Sequence, residues 1–100
     1  MAEVLTIEEL RGRIDVIDEQ LVRLLNVRVA CAVEVGRLKH EAGLPIYQPE
    51  REAEVLRNVQ RVNNGPLDQD AIKRLFERII DEARHLERVA EELQLKKEDS

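Results

Sequence analysis

The sequence predicts an all-α fold of three helices, the first of them very long, and three observations carry that prediction. Charged residues make up 37% of the 100 positions while glycine and proline number four and three, a balance that leans to helix. Apolar residues recur at helical spacing over three stretches, and no alternating strand-like run bounded by turns interrupts them. Residues that start and stop helices stand at the edges of those stretches.

The first helix opens at Thr6, where Glu9 three residues on completes a capping-box pattern and Leu5 with Leu10 fits a hydrophobic staple. From there Leu10, Ile14, Ile17, Leu21, Leu24, Arg28, Cys31, Val35 and Leu38 follow at alternating steps of four and three, an unbroken heptad seam. Gly36 costs about 1 kcal/mol relative to alanine inside a helix, and nothing stronger intervenes before Gly43 and Pro45. The helix therefore runs for about 37 residues and spans about 55 Å. Residues 43–48 read as a loop. Pro49 suits the first position of a second helix, with Glu50 and Glu52 against its positive dipole end and Val55, Leu56, Val59 and Val62 on one face. Asn63 to Pro66 stop it, and Asp68 caps a third helix whose apolar face runs from Ile72 through Phe76, Ile80 and Ala83 to Leu93. Order is expected over about residues 5–95 of a single domain, 1–100, with fraying from Lys96.

Such a short chain makes a thin core, and this one has almost only aliphatic residues to fill it, Tyr47 and Phe76 being its sole aromatics. A helix of about 55 Å is also too long for partners of about 25 and 35 Å to cover. A second copy of the chain is the simplest cover, so the expectation is a homodimer in which the long helices pack together; a monomeric hairpin kinked near Gly36 is the alternative.

The net charge of −5 argues against nucleic acid as the main partner. No apolar run approaches the length of a membrane span, no signal segment opens the chain, and the lone Cys31 has no intramolecular disulfide partner; a cytoplasmic protein is expected. Hydrolysis by a nucleophile lacks its residues, since the one serine is Ser100 and neither His40 nor His85 has a triad partner in view. Metal ligation is poorly supported by the spacing, and no glycine-rich phosphate loop is present.

Charges stand where packing would prefer none. Arg28 occupies a seam position, and Lys39, eleven residues on, returns to nearly the same face about 16 Å along the axis, so the two bracket a small anion. On spacing alone a second reading stands beside it, in which Arg28 snorkels to water or pairs with a buried carboxylate. Arg11 is about 25 Å from Arg28 and roughly 100° around the helix, too far to share a ligand within one chain, although antiparallel crossing of two such helices brings a partner's copy near. Arg51 and Glu52 read equally as a first-turn charge pattern. Glu87 follows Phe76, Ile80 and Ala83 at helical steps, which places its carboxylate near the apolar face and raises its pKa, unless it lies at the stripe's edge and reaches water.

Five segments in register carry a resemblance. Residues 11–18 (RGRIDVID), 24–28 (LLNVR), 34–39 (EVGRLK), 49–52 (PERE) and 75–80 (LFERII) are similar to the AroQ-type, all-helical chorismate mutases, over about residues 5 to 90. The resemblance implies three helices per chain in an intertwined homodimer with two active sites, and a Claisen rearrangement of chorismate to prephenate in aromatic amino-acid biosynthesis, without cofactor, metal or covalent intermediate. It implies that Arg28 and the partner's Arg11 grip the substrate's two carboxylates, a task suited to bidentate guanidinium. It further implies that Lys39 donates to the ether oxygen, Glu52 accepts from the ring hydroxyl and Arg51 shapes the same wall. Gln48 stands where some members carry Asp, a contact main chain can supply, and Ala83 where some carry Ser. Glu87 stands where some carry Gln, and a carboxyl has a donor for the ether oxygen only when protonated. The expectation is a neutral Glu87 and activity that declines as pH rises through its raised pKa.

Three alternatives remain at this level. A pyruvate lyase acting on isochorismate uses the same fold and a similar pocket. A mutase-like domain serving chiefly as a regulatory or interaction module would have another shikimate-pathway enzyme as partner. A plain helical bundle leaves Arg28 in the seam unexplained.

Overall fold

The computed structural model describes residues 4–99; residues 1–3 and 100 of the expected domain lie outside the described residues. It holds three helices, α1 (Ile7–Ala42), α2 (Pro49–Val62) and α3 (Gln69–Glu98), and no strand among the described residues. Local chemistry sets most of the boundaries. Thr6 and Glu9 form the full capping box at the start of α1, and Gly43 ends that helix at φ 71°, a left-handed conformation that favours glycine. Pro49 opens α2, and the Asp68 carboxylate accepts from Ala71 N at 2.7 Å to cap α3.

At its far end α3 passes Lys96 and Lys97 and reaches Glu98. His40 meets this end of the helix. Its Nδ1 lies 3.5 Å from Glu91 and its Nε2 3.3 Å from Glu98, so the last turn of α1 is tied to the last two turns of α3. The hydrogen bond to Glu98, supported by Glu91 against partial desolvation, raises the imidazole pKa and favours the charged form that binds both carboxylates.

α3 is the shared wall of the chain, packing against both α1 and α2, which do not approach each other backbone to backbone. α1 and α3 run in the same direction, with Gly36 meeting Glu87 and His40 meeting Glu91. Small residues permit that approach: Gly36 and Ala83 are the fully covered positions among the described residues. A Cβ at Gly36 would stand 3.2 Å from Glu87 Cγ.

Little else is buried. Ile14, Ile17, Leu21 and Leu24 of the α1 seam are 53%, 51%, 51% and 65% exposed. The radius of gyration is 18.2 Å, against about 13 Å for a compact chain of this length. The accessible surface of 8292 Å² exceeds by about 2,400 Å² what a compact protein of 11.6 kDa presents. Among the described residues no helix is long and apolar enough to cross a membrane.

Candidate active site

A cleft lies where the second half of α1, the start of α2 and the middle of α3 converge. Its volume is about 290 Å³, near the small end of ligand pockets, and it is open on one side. Cys31, Ala32 and Val35 from α1, Ile46 from the loop, Val55 from α2 and Ile80 from α3 supply an apolar lining. Set into it are four cations, Arg28, Lys39, Arg51 and Arg84, against two carboxylates, Glu52 and Glu87. The lining thus carries a cationic excess although the whole chain has a net charge of −5.

Each charged group reaches the cleft for a local reason. Arg28 and Lys39 share a face of α1, as their spacing requires, and both are half-buried. Among the described residues Arg28 has no carboxylate partner, so its guanidinium is a partly desolvated cation with its donors uncommitted. Lys39 Nζ donates to Ile46 O at 3.1 Å, which draws the α1–α2 loop over the cleft. Gln48 is the N-cap of α2; its carbonyl accepts from the backbone of Arg51 and Glu52, leaving its side chain free of any capping bond. Arg51 is largely exposed and pairs with Glu54 one turn on. Glu52, half-buried in the first turn of α2, pairs with Arg84 of α3.

Glu87 is half-buried where α3 crosses Gly36 and faces the cleft. Burial raises its pKa; Lys39 and Arg84 pull in the opposite direction by their charge and do not cancel the rise. The protonated carboxyl is therefore favoured to a higher pH than for an ordinary glutamate. Ala83 lies at the floor, 4% exposed.

Of the residues singled out in the sequence, Arg28, Lys39, Gln48, Arg51, Glu52, Ala83 and Glu87 all line this cleft. Arg11 does not: it is exposed on the first turns of α1, about 25 Å from Arg28 by helical rise. Arg84 was missed. Its signal was present, for Ile80, Arg84 and Glu87 follow at steps of four and three and share one face. Among the described residues no group of three or more histidines, cysteines or carboxylates is placed to hold a metal ion.

Comparison with known proteins bears on the family and the fold. Residues 10–88 match the family model of chorismate mutase type II. A bifunctional chorismate mutase/prephenate dehydratase of Pseudomonas aeruginosa is 41% identical over 92 residues, covering 87% of this chain and 25% of the relative. The chain thus spans about a quarter of the length of the bifunctional curated relatives it matches. The chorismate mutase structure (form II) of Thermus thermophilus superposes with a TM-score of 0.80 at 38% identity, covering 82% of this chain and 93% of that one. That of Helicobacter pylori chorismate mutase in complex with prephenate gives 0.79 at 28% identity, covering 86% and 93%. With the family pattern matched over most of its length and the helices superposing on solved members, this chain belongs to the chorismate mutase type II family.

Proposed function

We propose that this chain is a chorismate mutase that converts chorismate to prephenate, within a homodimer. The observation that carries the reading is Arg28, half-buried and without a carboxylate, in a cleft that also holds Lys39, Glu52 and Glu87. A dicarboxylate substrate supplies the missing anion. In the rearrangement the ether C–O bond breaks as a C–C bond forms within one molecule, so no nucleophile, cofactor or net proton transfer is needed.

Arg28, with Arg11 of a second copy, holds the two carboxylates and fixes the extended substrate in a reactive chair. Negative charge builds on the ether oxygen as its bond lengthens. Lys39 answers it: its ammonium has three donors, of which the Ile46 carbonyl takes one. Protonated Glu87 is a second donor to the same oxygen. Glu52 accepts from the ring hydroxyl, while Arg51, Gln48 and Ala83 shape the wall around it.

The dimer rests on surface. Covering the excess of about 2,400 Å² on each of two chains buries nearly 5,000 Å² in total, the range of obligate homodimers. A cytoplasmic biosynthetic enzyme fits this reading. Association with another shikimate-pathway enzyme draws support from the bifunctional relatives.

The test is chorismate disappearance, with isochorismate assayed in parallel. Parent activity lost by two orders of magnitude or more in Arg28→Ala, with dimer and helicity intact, supports the proposal. An inactive parent, or an Arg28→Ala chain as active as the parent, overturns it.

A further inference from the structure

Beyond its pull on the Glu87 carboxyl, one cation of the cleft has no part in the chemistry set out above. Arg84 reaches three separate groups at once. One of its nitrogens pairs with Glu52 Oε1 at the start of α2. Another lies 3.6 Å from Asp81 on α3 itself. Its guanidinium carbon sits 4.9 Å above the ring of Tyr47 in the α1–α2 loop. The side chains of Arg84 and Glu52 are each 23% exposed, so this ion pair is mostly withdrawn from water, whereas Asp81 is 61% exposed and contributes little.

We propose that Arg84 is a positioning and specificity residue that holds the Glu52 carboxylate against the cleft wall and offsets its charge before a dianionic substrate enters. The inference rests on the reading of Glu52 as acceptor of the substrate hydroxyl. A carboxylate offers about four lone-pair directions on two oxygens. Arg84 engages Oε1, and lone pairs remain on the carboxylate to accept the hydroxyl. Without Arg84 the Glu52 carboxylate is an unpaired anion in a half-closed cleft, repelling the carboxylates that Arg28 must capture. The stack on Tyr47 keeps the planar guanidinium oriented for this pairing, which a lysine cannot reproduce although it restores the charge.

Two properties follow for the substrate. It must carry a hydroxyl that reaches the Glu52 carboxylate as a donor, and it must be anionic enough to suffer from an exposed Glu52. Steady-state kinetics on chorismate for the parent, Arg84→Leu, Arg84→Lys, Glu52→Gln and the Arg84→Leu/Glu52→Gln double variant test both together. Arg84→Leu is expected to raise KM about tenfold or more with a smaller change in kcat, and Arg84→Lys to bring KM back to within a few fold of the parent. With Glu52→Gln already in place there is no carboxylate to hold, so adding Arg84→Leu is expected to change KM less than twofold. A parent-like KM in Arg84→Leu, or the same factor lost in both backgrounds, overturns the proposal; the second result marks a purely structural arginine. Should Arg84→Leu fail to fold, Arg84→Gln keeps the stem, removes the charge and carries the same expectation. A parent that turns over chorismate in an Arg28-dependent way, with Arg84 indifferent, removes this inference alone. A parent without turnover removes the mutase reading and this one with it.

Discussion

Replacing Leu21 by Asp measures how much of the fold lies outside a single chain. Leu21 sits midway along the uncovered part of the α1 seam and is 51% exposed, with Ile14, Ile17 and Leu24 in similar condition. Full burial of a leucine stabilises by about 1.5–3 kcal/mol, so dimerisation gains about 1 kcal/mol from the half that remains. A carboxylate in that place loses this gain and adds about 2 kcal/mol or more for a polar group buried without a partner. Twofold symmetry doubles the sum to about 6 kcal/mol per dimer, or roughly four orders of magnitude in dissociation constant. Sedimentation equilibrium over a wide concentration range, with circular dichroism on the same samples, reads the outcome. The parent is expected to be dimeric at micromolar concentration, and the Leu21→Asp chain monomeric with reduced helicity. A variant that dimerises as tightly as the parent, or a fully helical monomeric parent, refutes the reasoning from exposed surface.

Two further outcomes concern Glu87. Because burial raises its pKa and the neutral form is the donor, kcat/KM is expected to fall by about tenfold per pH unit above that raised value, while Glu87→Gln, which always carries a donor, holds its rate across the same range; coincident pH–rate profiles would contradict this. In Gly36→Ala the new methyl group meets Glu87 Cγ at 3.2 Å and must push it by a few tenths of an ångström, so despite about 1 kcal/mol of gained helix propensity, activity is expected to drop several-fold with the alkaline limb displaced. An unchanged rate and pH profile in Gly36→Ala would show that Glu87 is not positioned by this crossing.

The helix boundaries were legible because each is set by neighbouring residues: Thr6 with Glu9, Gly43, Pro49 and Asp68 act over three or four positions. The contact of His40 with Glu98 was not, since it forms only once α1 and α3 lie side by side. At the site, Arg28 and Lys39 betrayed themselves through a cation in an apolar seam and a spacing of three turns. Gln48, Arg51, Glu52 and Ala83 carried no such anomaly and were named through family resemblance. Arg84 escaped because an arginine beside an apolar stripe looks like an ordinary surface charge. Its partners Glu52 and Tyr47 come from a different helix and a loop, and no periodicity within α3 points to them. Arg11 remains the residue whose part depends wholly on assembly, being exposed and remote from the cleft of its own chain.

Arg11 is therefore where the central claim, a dicarboxylate rearranged in a site completed by two chains, meets its most direct test. Arg11→Ala and Arg28→Ala chains are each expected to be nearly inactive alone. Unfolded together and refolded, half of the dimers are mixed, each with one site lacking both arginines and one intact, so about a quarter of the parent's activity should return. Activity no greater than that of the two variants measured separately would contradict a shared site.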